Sequence, residues 1–144
     1  MIKIKIKTLD KSLPVPKYAH KGDAGLDLYS SINCVLNPYD RKLIPTGIKI
    51  AIPEGYAGFV QAKSGLAIKY GLALLNSPGL IDSGYRGEIC IIVVNLDKQN
   101  KILINKGDKI CQLIIQKIEN VDLEVVEDLE TTDRGEGGFG HTGK

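Results

Sequence analysis

Aromatic side chains are scarce in this chain, and neither sign of charge dominates it. The 144 residues include no Trp, two Phe and six Tyr, and the formal net charge is +2. Surfaces that bind single-stranded nucleic acid combine a basic groove with aromatic side chains on which bases stack. The composition therefore argues against a nucleic-acid-binding β-barrel, and we expect no nucleic-acid partner.

Long apolar runs are also missing. No stretch approaches the ~18 apolar residues of a membrane-spanning helix. The first seven residues alternate apolar and basic side chains instead of forming the apolar block of a signal peptide. We therefore expect a cytoplasmic protein with no membrane partner.

The cysteines lack the spacing of a metal or redox motif. Cys34, Cys90 and Cys111 are an odd number, and no two of them form a C-x-x-C pair. Cys90 and Cys111 fall within apolar, strand-like runs. We expect buried free thiols rather than disulfides or a zinc site.

Short alternating segments dominate the remaining sequence. Ile2, Ile4 and Ile6 alternate with lysines, which is the period of a strand with one buried face. Similar signals between turn residues predict further strands at 43–52, 57–62, 72–75, 88–96, 102–104, 109–118 and 123–126. Many short strands in a chain of single-domain length predict an all-β sandwich or barrel.

One short helix is predicted after Lys63. Ser64 is expected to cap its N-terminus, and Gly71 to take the left-handed conformation that ends it. The order Lys63, Ser64, Gly65 combines a cation, a hydroxyl and free backbone N–H groups, which suits a phosphate. A serine cap followed by glycine is also common as structure alone, so both interpretations stay open.

Residues 76–89 contain the most informative carboxylate. The sequence Ser-Pro-Gly-Leu at 77–80 predicts a type II turn with Gly79 at positive φ, and hence a hairpin. Asp82 follows between apolar residues and a segment with two glycines, Gly84 and Gly87, which we expect to allow close backbone approach. Such a carboxylate is a candidate general base. The alternative is a turn aspartate that accepts backbone N–H bonds.

The C-terminal segment differs in composition from the rest. Residues 127–133 are acidic and polar, and five of the last ten residues are glycine. We expect a β domain over 1–126 and a mobile arm over 127–144. Phe139 stands alone among the glycines, so the arm is expected to order over a ligand, with Phe139 stacked on a base and Arg134 on phosphates. A disordered terminus is the alternative.

Five segments stand out together in this order: AGLDL at 24–28, KSGLA at 63–67, GLIDSGYRGEI at 79–89, GDKICQLI at 107–114 and RGEGGFGHTG at 134–143. They resemble the motifs of the trimeric deoxyuridine triphosphate nucleotidohydrolases (dUTPases). The match runs from residue 24 almost to the end, and five motifs in this order are highly specific. The resemblance implies a jelly-roll-like β-clip fold, which is a distorted barrel or sandwich. It also implies a homotrimer in which each active site is built from all three subunits.

The implied activity is hydrolysis of dUTP to dUMP and diphosphate with Mg²⁺. This reaction keeps uracil out of DNA and provides dUMP for thymidylate synthesis. By resemblance, Asp82 is the base that activates the attacking water, and Asp27 reaches the Mg²⁺ through water. The resemblance also implies three groups of substrate-binding residues. The phosphates are contacted by Lys63, Ser64, Gly65, Gln112, Arg134 and Thr142, and the deoxyribose by Tyr85. The uracil is contacted by Asn76, Leu80, Ile81, Cys90 and Phe139, and Gly140 also belongs to the substrate-binding set.

One position departs from the family pattern. Lys63 stands where the family usually has arginine, so the charge is kept but the bidentate fork is lost. We expect activity to be retained, with looser phosphate positioning.

Two alternatives remain at this stage. One is a dCTP deaminase of the same fold, which the intact glycine-rich tail with Phe139 disfavours. The other is a nucleotide-binding module without catalysis, which would gain little from Asp82 beside a triphosphate.

Overall fold

The computed structural model describes residues 2–141 and is built almost entirely of short β-strands. The elements are β1 Lys5–Thr8, β2 Leu26–Tyr29, β3 Cys34–Leu36, β4 Arg41–Pro45, β5 Ile48–Ala51, β6 Tyr56–Ala62, α1 Ser64–Tyr70, β7 Leu72–Leu74, β8 Gly79–Ile81, β9 Cys90–Asn95, β10 Ile102–Ile104 and β11 Lys109–Lys117. The all-β prediction with one short helix is therefore confirmed for the described residues.

The strands form four antiparallel sheets that pack around one core. Their orders are β1-β5, β10-β3, β2-β11-β6-β8 and β4-β9-β7, and across residues 2–141 they do not join into a closed barrel. On β9, the buried residues Ile91, Val93 and Asn95 alternate with half-buried ones, as expected when one face of a strand packs on the core. The strands of the largest sheet carry both Asp27 and the segment leading to Asp82, two of the predicted site residues.

Two strand predictions are wrong. The strand predicted at 43–52 is divided into β4 and β5 by Gly47, whose φ of 72° turns the chain. The strand predicted at 123–126 is absent, and every residue from 119 to 136 is exposed. An alternating apolar pattern needs a neighbouring strand, and residues 2–141 provide none beside this segment.

The predicted type II turn is also wrong. Gly79 is the first residue of β8, where it pairs with Val60, and its φ is not positive. No hairpin forms here either, because β7 pairs with β9 while β8 pairs with β6. Pairing with a distant strand has overridden the local turn signal.

The helix begins one residue earlier than predicted. Lys63, not Ser64, occupies the cap position, and no side chain caps the helix. Gly71 ends it in the left-handed conformation with φ of 69°, as predicted, and its N–H donates to the Ala67 carbonyl.

The three cysteines are free, as predicted. Cys111 is fully buried, and burial raises the pKa of its thiol to about 12. Cys90 and Cys34 are only half-buried, because Cys90 lies beside a cavity and Cys34 in a strand with one exposed neighbour. Within the described residues, no helix has both the length and the apolar character needed to cross a membrane.

Candidate active site

A cavity of about 350 Å³ opens between β8, β9 and the loop that joins them. Six of the predicted site residues line it: Asn76, Leu80, Ile81, Asp82, Tyr85 and Cys90. We call these six the cavity group. They come together because β8 pairs with β6, while β9, which begins at Cys90, forms the opposite wall. Apart from Phe139, the structure thus places the residues predicted for the base, the sugar and catalysis around one space.

Asp82 directly follows β8 at the edge of this cavity. The residue is exposed, and its backbone carbonyl accepts the Tyr85 N–H at 3.1 Å. Its carboxylate has no hydrogen-bond or ion-pair partner within residues 2–141. The alternative prediction, a turn aspartate whose carboxylate accepts backbone N–H bonds, is therefore wrong for Asp82. Its carboxylate is available to a water molecule.

Tyr85 is held in place by the loop that carries it. Its hydroxyl donates to the Glu88 carbonyl at 2.9 Å, and its ring lies over Gly87. A Cβ at Gly87 would lie 2.2 Å from the Tyr85 hydroxyl oxygen, so only glycine leaves room for the ring in this position. At Gly84 a Cβ would meet no atom within 4 Å. The expected close approach therefore holds for Gly87 and is wrong for Gly84.

Glu88 is a cavity residue that the sequence did not single out. Its Oε1 accepts the Gly47 N–H at 2.8 Å, and the neighbouring Ile89 carbonyl accepts the Thr46 hydroxyl at 2.6 Å. These bonds tie the Asp82 loop to the turn between β4 and β5. Glu88 thereby fixes the loop. The only feature of the sequence that could have indicated Glu88 is its position inside the third motif, residues 79–89.

A second polar cluster lies around Asp27 on β2. Its Oδ1 accepts a hydrogen bond from Lys63 Nζ at 2.5 Å, and its Oδ2 lies 2.9 Å from Lys109 Nζ. We call these three residues the Asp27 cluster. Burial raises the pKa of the Asp27 carboxyl, but hydrogen bonds from Lys109 and Lys63 outweigh it, and the pKa lies below its ordinary value. The same bond raises the pKa of Lys109.

Lys109 is the functional candidate that sequence reasoning missed. It belongs to the fourth motif, but spacing alone did not connect it with Asp27. The connection depends on the pairing of β11 with β2, whose register shifts between Lys109 and Cys111. Such a shift bends a strand and re-aims its side chains.

Gln112 and the start of α1 adjoin the Asp27 cluster. Gln112 lies directly opposite Asp27 in the β11–β2 pair, and its side chain packs on Gly25, where a Cβ would be 2.9 Å from Gln112 Cβ. Ser64 and Gly65 follow Lys63 at the start of the helix. None of these residues lines the cavity that holds Asp82. One chain therefore does not place these predicted phosphate contacts in the lining of the cavity.

The predicted arm residues lie apart from both sites. Arg134 Nε donates to the Gly137 carbonyl at 3.0 Å, and Phe139 is fully exposed with φ of 48°. Neither these two residues nor Gly140 lines the cavity. Thr142 is outside the described residues.

The chain is similar to known proteins over nearly its whole length. A family model described as dUTPase matches residues 11–143. The chain belongs to the dUTPase family. A deoxyuridine 5'-triphosphate nucleotidohydrolase from Corynebacterium glutamicum is 52% identical over 141 residues, covering 98% of this chain and 95% of that protein.

Two solved dUTPase structures share the fold. Staphylococcus bacteriophage 80alpha dUTPase with dUPNHPP has a TM-score of 0.92 at 32% identity and covers 100% of both chains. A mutant dUTPase from phage phi11 of S. aureus, described for its coordination of a structural Mg(II) ion, has a TM-score of 0.82 at 29% identity. That match covers 90% of this chain and 100% of the phage chain. The predicted dUTPase family and β-clip fold are confirmed.

The donor set fits the outer-shell Mg²⁺ contact predicted for this dUTPase-family chain. Residues 2–141 contain no group of three or more His, Cys, Asp or Glu side chains that could hold a metal by themselves. Mg²⁺ keeps several waters and is bound mainly by substrate phosphates in such sites. Each Asp27 oxygen has two acceptor positions, so each accepts one lysine and keeps one acceptor position for a further hydrogen bond. Asp27 therefore suits a contact through water and does not suit a protein-only metal cage.

Proposed function

We propose that this protein hydrolyses dUTP to dUMP and diphosphate in the cytoplasm, with Asp82 activating the attacking water. This reaction limits uracil incorporation into DNA and supplies dUMP for thymidylate synthesis. Membership of the dUTPase family supports the reaction. The observation that supports the residue assignment is the cavity, where the unpaired Asp82 carboxylate stands at the edge of a pocket lined by the predicted uracil and sugar contacts.

The chemistry assigned to Asp82 is general base catalysis. Its carboxylate orients a water molecule and takes its proton while the water oxygen forms a bond to the α-phosphorus. The bond from that phosphorus to the bridging oxygen breaks, and diphosphate leaves. Because Asp82 has no competing side-chain partner in the described chain, both of its oxygens are available for this task.

The phosphate chain is assigned to the residues around the Asp27 cluster. Lys63, Ser64, Gly65 and Gln112 contact the phosphates, and Asp27 reaches Mg²⁺ through water. When bound, Mg²⁺ neutralises charge on the triphosphate. The excess positive charge of the Asp27 cluster serves the same purpose from the protein side, since one carboxylate faces two ammonium groups.

Base and sugar selectivity are assigned to the cavity group. Asn76 and the backbone near Cys90 pair with the uracil edge, while Leu80 and Ile81 pack on the ring. Cytosine presents a donor where uracil has an acceptor, and mismatched buried hydrogen bonds discriminate by ~10⁴ to 10⁵. Tyr85, fixed by its bond to the Glu88 carbonyl, packs on the deoxyribose and leaves no space for a 2′-hydroxyl.

We also propose a homotrimer whose active sites are shared between subunits. No residue of the Asp27 cluster lines the cavity, so a neighbouring subunit is proposed to bring its own Asp27 cluster to the cavity group. The segment before the arm supports association, because Val121, Leu123 and Val125 are 77%, 84% and 97% exposed. In the trimer the arm, residues 127–144, closes over a neighbour's site. Arg134 and Thr142 bind the phosphates, while Phe139 and Gly140 cover the uracil.

The deciding experiment measures diphosphate release with Mg²⁺ from dUTP, dCTP, dTTP and UTP separately. We expect rapid release from dUTP only, and a loss of at least ~10²-fold in kcat for Asp82→Asn, within the contribution of a general base. Glu54→Gln is the matched control, since Glu54 is an exposed carboxylate in a turn without a bonded partner in the described chain. Unchanged turnover in Asp82→Asn would remove Asp82 from its role, and ammonia released from dCTP would instead indicate a deaminase.

A further inference from the structure

Two lysine side chains share one buried carboxylate in the Asp27 cluster. The Asp27 side chain is 4% exposed, whereas those of Lys63 and Lys109 are 25% and 48% exposed. Each lysine bonds a different oxygen of Asp27, and neither has another carboxylate partner among residues 2–141. The cluster therefore carries one more positive than negative charge. The positive charges lie on the two lysines, which are more exposed than the carboxylate.

The number of cations determines whether one of them is free to move. A buried carboxylate that loses its one cation is left uncompensated, which strongly opposes the separation. With a cation on each oxygen, one lysine leaves and the carboxylate remains paired. The second lysine thus lowers the free-energy cost of releasing the first.

We infer that Lys109 is a positioning residue that retains the Asp27 carboxylate when Lys63 turns from Asp27 to the phosphates of the substrate. This inference rests on the proposed function, in which Lys63 contacts the triphosphate. We assign the exchange to Lys63 because it directly precedes Ser64 and Gly65, two proposed phosphate contacts, and the space beside Gly65 is open: a Cβ there would meet no atom within 4 Å. Lys109 lies instead in β11, whose backbone is paired with β2.

The test is a double-mutant cycle between Lys109 and Asp27. Its readout is the affinity for an imido analogue of dUTP, measured calorimetrically without metal on the full chain. In Lys109→Met, Lys63 is the only cation on Asp27, so we expect ~10-fold weaker binding, within the coupling that contacting residues show. Lys109→Arg restores a second cation and should bind like the unaltered protein. In Asp27→Asn nothing holds Lys63, so adding Lys109→Met should cause no further loss.

Two results of the cycle would overturn the inference. A loss that persists in the Asp27→Asn background would mean that Lys109 contacts the phosphates itself. Unchanged affinity of Lys109→Met would mean that Lys63 leaves Asp27 without help. Thermal unfolding of each variant shows whether it is folded.

A crystal structure of the unaltered protein with the analogue decides the matter if Lys109→Met does not fold. It should show Lys63 Nζ on a phosphate oxygen and Lys109 Nζ still on Asp27, and Lys63 remaining on Asp27 would refute the exchange. Hydrolysis of dUTP by the unaltered protein tests the proposed function separately. If hydrolysis depends on Asp82 but the cycle shows no coupling, only the role of Lys109 fails.

Discussion

Asp27 illustrates how the surroundings of one residue set its charge. It is a buried carboxylate in β2, and burial alone would favour its neutral form. Hydrogen bonds from Lys109 and Lys63 reverse this preference and lower the pKa. The residue is therefore ionised at neutral pH, and its charge holds two lysines beside the predicted phosphate contacts.

The lowered pKa of Asp27 predicts a specific pH dependence of stability. A carboxyl whose folded pKa is depressed stabilises the protein above its unfolded pKa of ~3.9, and this contribution is lost as the pH falls through the folded value. Asp27→Asn should lower the free energy of unfolding by about 1–3 kcal/mol at pH 7, because the lysines are partly exposed and the pair is worth less than a fully buried one. The difference in the free energy of unfolding between the two proteins should shrink below about pH 4.

Urea unfolding of both proteins without metal, between pH 7 and pH 3, measures this gap. Asp10 and Asp97 also have lowered pKa values, but they are present in both proteins and cancel in the difference. A gap that stays constant down to pH 3 would show that the ionised carboxylate of Asp27 does not stabilise the fold.

The loop between β8 and β9 carries residues proposed to control selectivity and catalysis. Asp82 enters it, Tyr85 folds over Gly87 within it, and Glu88 anchors its end to Gly47. The loop thus positions, as one unit, the carboxylate proposed as the general base and the ring proposed to contact the sugar. Moving the ring should change sugar selectivity before it changes folding.

Gly87→Ala tests this view of the loop. The new Cβ would lie 2.2 Å from the Tyr85 hydroxyl oxygen, so the ring must move, and it can move because it is at the exposed end of the side chain. We expect the ratio of kcat/KM for UTP to that for dUTP to rise about tenfold, because misplacing one contact costs on the order of 1–3 kcal/mol of discrimination. Melting temperature should change little.

Gly84→Ala is the matched control in the same loop. Its Cβ would meet no atom within 4 Å, so both the selectivity and the melting temperature should stay near those of the unaltered protein. Equal selectivity changes in the two variants would show that loop flexibility, rather than the Tyr85 ring, sets the preference for deoxyribose.

The elements differ in how far the sequence predicted them. Strands with alternation or with a continuous apolar run, such as β9 and β11, were recognised because their patterns are local. β2 is not predicted, because it has only four residues and one of them is the charged Asp27, which the structure buries. The segment at 77–80 carried a strong turn signal that pairing of β8 with β6 overrode.

At the scale of the whole molecule, the sequence predicts candidate site residues but not how they are arranged. The motifs identified Asp82 and Asp27, and the structure separates them into the cavity group and the Asp27 cluster. Lys109 could not be paired with Asp27 from spacing, since the contact depends on a register shift in β11. Contacts between distant segments depend on strand register, which local patterns do not encode.

The charge distribution along the chain separates body and tail. Residues 1–118 contain 17 basic and 9 acidic side chains, whereas residues 119–144 contain 2 basic and 8 acidic ones, which gives net charges of +8 and −6. Opposite charges on two parts of one chain attract when copies associate, subject to screening by salt. The exposed apolar residues before the arm lie in the acidic part. Both features favour contact between the tail of one subunit and the body of another.

Mixing two inactive variants tests whether the arm of one subunit completes the site of another. Asp82→Asn lacks the base but keeps the arm, and a chain lacking residues 134–144 keeps the base but loses Arg134 and Phe139. Each alone should be nearly inactive on dUTP. The shortened chain should still fold, since residues 134–141 bond only within the tail in the described structure.

If the subunits are unfolded, mixed and refolded together, sites with an intact Asp82 and a neighbour's arm should restore a measurable fraction of activity. Mixing after separate refolding is the control, and should restore activity only as fast as subunits exchange. If each arm covered the site of its own chain, the co-refolded mixture would stay as inactive as its components.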